Sequence, residues 1–182
     1  MTRCLSDWAE QLARTRLAAL DRRWKHVRGV AEQARRAVGI VDDPELLVSA
    51  AWLHDVGYAP ELVQTGCHAV DGARFLAANG APERLCALVA HHSCARIEAA
   101  NRGVVIDWED ESTSLRDALW WADITTTPTG GHTDARDRIA EVLERYGAEH
   151  VVARSIADAQ PDLLDAVDRT EQRLRQISGH DA

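Results

Sequence analysis

The chain has 182 residues, of which 46% are hydrophobic and 27% are charged, and its net charge at neutral pH is -8. This length suits one domain with a sizeable core, and the composition excludes a disordered chain. The acidic balance argues against a nucleic-acid partner, and no apolar run reaches the ~20 residues of a membrane span. The N-terminal residues lack the apolar segment of a signal peptide, so we expect a cytoplasmic protein.

Capping residues and helix breakers divide the chain into predicted helices. Asp21 and Asp43 are typical N-caps, Pro44 suits a first helical turn, and glycines follow several apolar segments. The predicted helices cover about residues 7–20, 22–38, 44–57, 68–78, 82–93, 95–100, 115–124, 133–146, 148–159 and 161–177. Residues 104–110 are the one segment that suits a β-strand. The pattern predicts a single all-α domain over residues 1–182.

Several polar residues stand at costly positions in apolar helices. His54 and Asp55 end the apolar third helix, and burying this pair is unfavourable unless a partner neutralises it. Asp123 ends another apolar helix, where a negative charge opposes the helix dipole. His26 lies inside the second helix. A divalent metal ion held between helices would account for all four residues.

With these residues in this order, the sequence resembles the HD superfamily of metal-dependent phosphohydrolases. The matching stretches are RRWKHVRGVAEQA, AAWLHDVGYAP and ALWWADITTTP, which span about residues 20–130. The resemblance implies a helical bundle with a metal site between its central helices, followed by C-terminal helices over about 133–178. Carried over by position, the metal ligands are His26, His54, Asp55 and Asp123.

Two further histidines resemble a six-ligand, two-metal subgroup, similar to the HD dinucleoside-tetraphosphate hydrolases. His68 opens the stretch HAVDGARFL, and His91 lies on the next helix. The resemblance implies that Asp55 bridges two ions, with His68 and His91 on the second. His92 and Cys67 stay open as alternative donors. Mixed imidazole and carboxylate ligands favour Fe, Mn, Co, Ni or Zn, with one or two ions per chain.

The candidate catalytic residues are Asp55, His92 and Arg96. We expect His92 to support the ligands or contact phosphate, and Arg96 to neutralise phosphate from a loop at the pocket rim. Other cations near the ligands in sequence are Arg22, Arg23 and Lys25. One departure is clear: many HD hydrolases have a lysine soon after the HD pair, and Tyr58 stands there in this chain.

The resemblance implies an enzyme that cleaves a phosphoester or phosphoanhydride of a nucleotide or another small phosphorylated compound. An alternative is a di-iron oxygenase, because one branch of the fold uses the same ligand order to cleave C–C or C–P bonds with dioxygen. A third possibility is a non-catalytic sensor or interaction domain that keeps the metal for structure.

Overall fold

The structure is a computed structural model that describes residues 4–179. Short 3₁₀ turns separate several of the α-helices in this part of the chain. The α-helices are α1 (Leu5–Leu17), α2 (Asp21–Arg35), α3 (Pro44–Leu53), α4 (His68–Ala78), α5 (Glu83–His91), α6 (Ala95–Arg102), α7 (Ser114–Ile124), α8 (Ala135–Tyr146) and α9 (Val151–Ser178). The predicted all-α fold is confirmed. None of these helices combines the length and apolar character needed to cross a membrane.

Helices α2, α3 and α7 pack against one another at the centre of the bundle. Every residue of α3 from Leu46 to Leu53 is buried, as expected for a helix that is apolar nearly all round. Helix α1 covers α3 on one side, α4 packs against α5, and α9 packs on α6, α7 and α8. The polar end of α3 is therefore placed in the middle of the protein.

Side-chain caps explain where several helices begin. The Asp43 carboxylate accepts the Leu46 N–H at 2.9 Å, and Asp134 caps α8 in the same manner. These bonds satisfy amide groups that have no partner inside the helix. Asp21 differs from its predicted role, because it is the first residue of α2 and pairs with Lys25 at 2.8 Å.

Two of these predictions are wrong, one about a strand and one about the C-terminal helices. Residues 104–110 form no strand: within residues 4–179 no neighbouring strand offers them a ladder of hydrogen bonds, and Val105 is 70% exposed. The two predicted C-terminal helices are one helix, α9, which continues through Pro161. Proline removes a helical hydrogen bond, but here burial of Leu163 and Ala166 against the bundle offsets that loss.

A buried carboxylate joins α7 to α9. Asp117 is 3% exposed and accepts hydrogen bonds from Arg116, Arg169 and Arg173 at 2.8 to 3.1 Å. Burial alone would raise the pKa of Asp117, but the hydrogen bonds from these arginines hold the pKa below its usual value. The ionised carboxylate therefore stabilises the contact between the two helices.

We predict that Asp117→Asn lowers the free energy of unfolding by about 2 kcal/mol at pH 7. The reason is that a neutral amide oxygen accepts hydrogen bonds from three charged arginines more weakly than the buried carboxylate does. The native pKa of Asp117 lies below the unfolded value. The stabilisation is thus complete above the ordinary aspartate pKa of about 4 and is lost as the pH falls through the native pKa. Urea unfolding of both proteins from pH 7 downwards measures this difference.

The matched control is Asp107→Asn, at a half-exposed carboxylate paired with Arg74. It should change stability by less than about 0.5 kcal/mol, as exposed ion pairs usually do. A stability difference between the Asp117 variant and the wild type that stays constant below pH 4 would contradict the assignment.

Candidate metal centre

The HD pair lies at the buried end of α3. Helix α3 ends at Leu53, and the next residues, His54 and Asp55, are 0% and 2% exposed. A 3₁₀ turn at Val56–Tyr58 then leads the chain away. The apolar helix thus carries an imidazole and a carboxylate into the core, where each needs a partner.

A first group of ligand atoms surrounds Asp55 Oδ2. His54 Nε2 lies 3.3 Å from this oxygen and His26 Nε2 lies 3.8 Å from it. Asp123 Oδ1 lies 2.9 Å from His26 Nε2 and 3.8 Å from His54 Nε2. Two ligand atoms bonded to one ion at about 2.1 Å stand about 3.0 to 3.4 Å apart. His26, His54 and Asp55 therefore lie close enough together to hold a divalent ion after small shifts of their side chains, and Asp123 lies beside two of them.

A second group surrounds the other oxygen of the same carboxylate. His68 Nε2 lies 3.3 Å from Asp55 Oδ1, and His92 Nε2 lies 3.8 Å from it. The two Nε2 atoms are 3.1 Å apart. These three residues also have the spacing that can hold an ion. Asp55 thus offers one oxygen to each group.

Backbone carbonyl groups orient three of the four imidazoles. His26 Nδ1 donates to the Thr127 carbonyl oxygen at 3.0 Å. His54 and His92 each donate Nδ1–H to the carbonyl oxygen three residues earlier, at 2.8 and 2.6 Å. Because Nδ1 faces these carbonyl groups, Nε2 is the nitrogen that faces the site and can bind a metal ion once it has lost its proton. Such outer hydrogen bonds are typical of metal-ligating histidines.

The donor set fits a cation. His54 Nε2 is fully buried and has no hydrogen-bond partner among the described residues. Burial alone would lower the pKa of His54, but the Asp55 and Asp123 carboxylates raise the pKa to about 9. Burial lowers the pKa of His68 and of His92, which keeps both neutral and able to bind a metal. The carboxylates therefore attract positive charge to a position lined with imidazole nitrogens.

Two close backbone approaches place these residues. A Cβ atom on Gly57 would lie 1.9 Å from the His68 carbonyl oxygen, so glycine alone lets α4 pack on the turn after Asp55. A Cβ atom on Gly130, whose φ is +87°, would lie 2.5 Å from the Lys25 carbonyl oxygen. The second approach brings the 127–131 loop against α2, where it can bind His26.

Arg23 and Tyr58 complete the wall beside Asp55. The Arg23 guanidinium donates to Asp55 Oδ2 and lies 3.8 Å from the centre of the Tyr58 ring. Tyr58 also stacks on His68, with ring centres 4.1 Å apart. Arg23 lies three residues before His26 on α2, and this spacing places both on one face of the helix. The spacing from His26 is the feature of the sequence from which the position of Arg23 beside the cluster could have been predicted.

The structure does not bring two of the predicted residues to the cluster. His91 is the last residue of α5, and its Nε2 lies 2.8 Å from the Trp108 carbonyl oxygen. His92, one residue beyond the helix, takes the position expected of His91. Arg96 pairs with Asp162 at the surface, where its side chain is 50% exposed. Arg23, and not Arg96, contacts the cluster, through Asp55.

The segment after His92 has an unusual backbone. Ser93 and Cys94 have φ values of 47° and 60°, a region that costs energy for residues other than glycine. This conformation directs the Ser93 hydroxyl to donate to Asp123 Oδ2. Ser93 therefore helps to orient Asp123, a role that the sequence pattern gave no means of finding.

Two adjacent cavities open from the cluster. The inner cavity has a volume of about 100 Å³ and is lined by the candidate ligands other than His54 and by apolar side chains of α7, α8 and α9. The outer cavity has a volume of about 490 Å³. Residues that line both cavities are Arg23, His26, Tyr58, Arg138 and Arg145. A small molecule in the outer cavity can thus reach the cluster.

The family comparison agrees with this geometry. A family model described as the HD domain matches residues 23–159 of the chain. The matched region includes every residue of the two ligand groups. It also includes the arginines that line the two cavities, apart from Arg22, which lies one residue before it. No curated protein and no solved structure matches the chain.

We predict that Gly57→Ala lowers the free energy of unfolding by about 3 kcal/mol and weakens metal binding. The added methyl group would overlap the His68 carbonyl oxygen, so α4 must move and take His68 away from Asp55. Urea unfolding and titration with Mn²⁺ measure the two effects.

Gly39→Ala is the matched control, because its nearest neighbour would be Ile177 Cδ1 at an ordinary 3.4 Å. It should change neither property appreciably. Wild-type metal affinity in the Gly57 variant would show that the close approach does not position His68.

Proposed function

The chain belongs to the HD-domain family, and from this premise we propose that it is a phosphohydrolase that holds two divalent metal ions. Its substrate is a nucleotide or another small phosphorylated compound, cleaved at a phosphoester or phosphoanhydride bond. The observation that carries the proposal is the shared carboxylate. Asp55 Oδ2 faces His26 and His54, whereas Oδ1 faces His68 and His92.

The proposed ligands follow from this division of oxygens. His26, His54, Asp55 and Asp123 would hold the first ion, and Asp55, His68 and His92 the second. Four imidazoles and two carboxylates suit Fe, Mn, Co, Ni or Zn better than Mg or Ca. His92 thus replaces His91 in the ligand set expected from the sequence.

When bound, a divalent ion polarises phosphoryl oxygens and lowers the pKa of water. The protein's own residues position the substrate. Arg23 is partly buried beside Asp55. Burial would lower the pKa of its guanidinium, but the Asp55 carboxylate raises this pKa by more, so Arg23 stays charged. Its guanidinium can bind a phosphate oxygen next to the cluster. Apolar residues such as Ile124 and Ile156 line the inner cavity and limit access of bulk water.

We predict that Asp55→Asn removes at least one ion and lowers phosphatase activity about a thousandfold or more. A metal ion supplies several kcal/mol of transition-state stabilisation, and each 1.4 kcal/mol corresponds to tenfold in rate. The assay is hydrolysis of 4-nitrophenyl phosphate and of nucleotides with Mn²⁺, Co²⁺, Ni²⁺ or Zn²⁺, together with metal analysis.

Asp107→Asn serves as the control and should keep wild-type metal content and rate. Two results would contradict the proposal. One is activity that survives in the Asp55 variant. The other is a wild-type protein that hydrolyses none of these compounds but consumes dioxygen in its iron-loaded form, which would support the oxygenase alternative.

A further inference from the structure

The outer cavity carries a concentration of positive charge in an acidic protein. Among residues 4–179, its lining includes four arginines and a single carboxylate, that of Asp21. The Asp21 side chain is 79% exposed and pairs with Lys25. The whole chain has a net charge of -8. Such a local excess of cations beside a cavity is a feature of anion-binding sites.

Three of these arginines converge on one carboxylate of α8. Arg22 Nη2 and Arg145 Nη1 lie 3.4 and 3.6 Å from the same oxygen, Glu141 Oε1. Arg138 donates to the other oxygen, Glu141 Oε2. One carboxylate neutralises one of three guanidinium groups, so a local excess of positive charge remains.

Two of these arginines, Arg138 and Arg145, are largely withdrawn from solvent, whereas Arg22 lies at the surface with 60% of its side chain exposed. Arg138 is 8% exposed, and its Nε donates to the Thr126 carbonyl oxygen at 3.1 Å. Burial lowers the pKa of Arg145, and the neighbouring charges of Arg138 and Arg22 act in the same direction against the opposing effect of Glu141. Crowding of like charges is costly in the free protein, and a bound anion would relieve it.

We propose that Arg22, Arg138 and Arg145 form a second phosphate subsite in the outer cavity, which selects substrates that carry another phosphate beyond the one that reacts. This inference rests on the proposed function, which places the reacting phosphate at Asp55. Arg23, Arg138 and Arg145 line both cavities. Their guanidinium groups therefore lie along the path that a chain of phosphates would take from the cluster into the outer cavity. Their planar, multi-donor geometry matches phosphate oxygens. The substrate class is a polyphosphate or bisphosphate compound.

The test uses the double variant Arg22→Gln/Arg145→Gln, whose side chains are 60% and 28% exposed in the wild type. Calorimetric binding of inorganic tripolyphosphate to the protein as purified should weaken about tenfold. The KM for adenosine triphosphate should rise by a similar factor, whereas the KM for 4-nitrophenyl phosphate, which has one phosphate, should stay within twofold.

A matched control is Arg14→Gln/Arg175→Gln, which makes the same change in net charge. These two arginines are 63% and 69% exposed and pair with carboxylates on their own helices. The control should bind tripolyphosphate as the wild type does. Arg22→Gln alone, at the more exposed position, should give a smaller loss of about threefold without endangering the fold.

The outcomes separate the subsite from the proposed function. If the wild type hydrolyses no phosphate compound but tripolyphosphate binding weakens in the double variant alone, the function fails and the subsite stands. If hydrolysis occurs but the double variant binds tripolyphosphate like the wild type, the subsite is wrong. An equal rise in KM for both substrates would also overturn it, because the arginines would then act on the cluster as a whole.

Discussion

A carboxylate that is 2% exposed must be neutralised where it lies, and Asp55 is placed there by an apolar helix that cannot turn it towards water. Much of the surrounding structure meets this requirement. Imidazole nitrogens of α2, α4 and the turn after α5 face its two oxygens, and Arg23 contacts it from α2. A cluster of this kind is stable when cations share it, which links metal binding to the stability of the fold.

The backbone makes this convergence possible. Gly57 lets α4 approach the end of α3, and Gly130 lets the loop after α7 reach α2. Each approach delivers one group to the cluster: His68 in the first case and the Thr127 carbonyl oxygen, which orients His26, in the second. The outer helices then add charge, because α8 supplies Arg138 and Arg145 to the cavities. The candidate metal ligands and the two arginines of α8 thus come from different layers of the bundle.

Helix positions and the metal-binding motif could be predicted from the sequence because local signals carry them. Caps such as Asp43 and apolar periodicity place the helices, and the family resemblance points to His26, His54, Asp55 and Asp123. The choice between His91 and His92 could not be predicted, because α5 ends between them and helical periodicity stops there. Contacts between residues that lie far apart in the sequence also could not be predicted, because no local signal carries them.

The division of the Asp55 oxygens between two ions is the central claim, and anomalous X-ray diffraction from crystals grown with Mn²⁺ tests it most directly. The account predicts two anomalous peaks about 3.5 to 4 Å apart, one on each oxygen of Asp55, with His68 and His92 bound to the second. A single peak, or a second ion bound to His91 in place of His92, would contradict it.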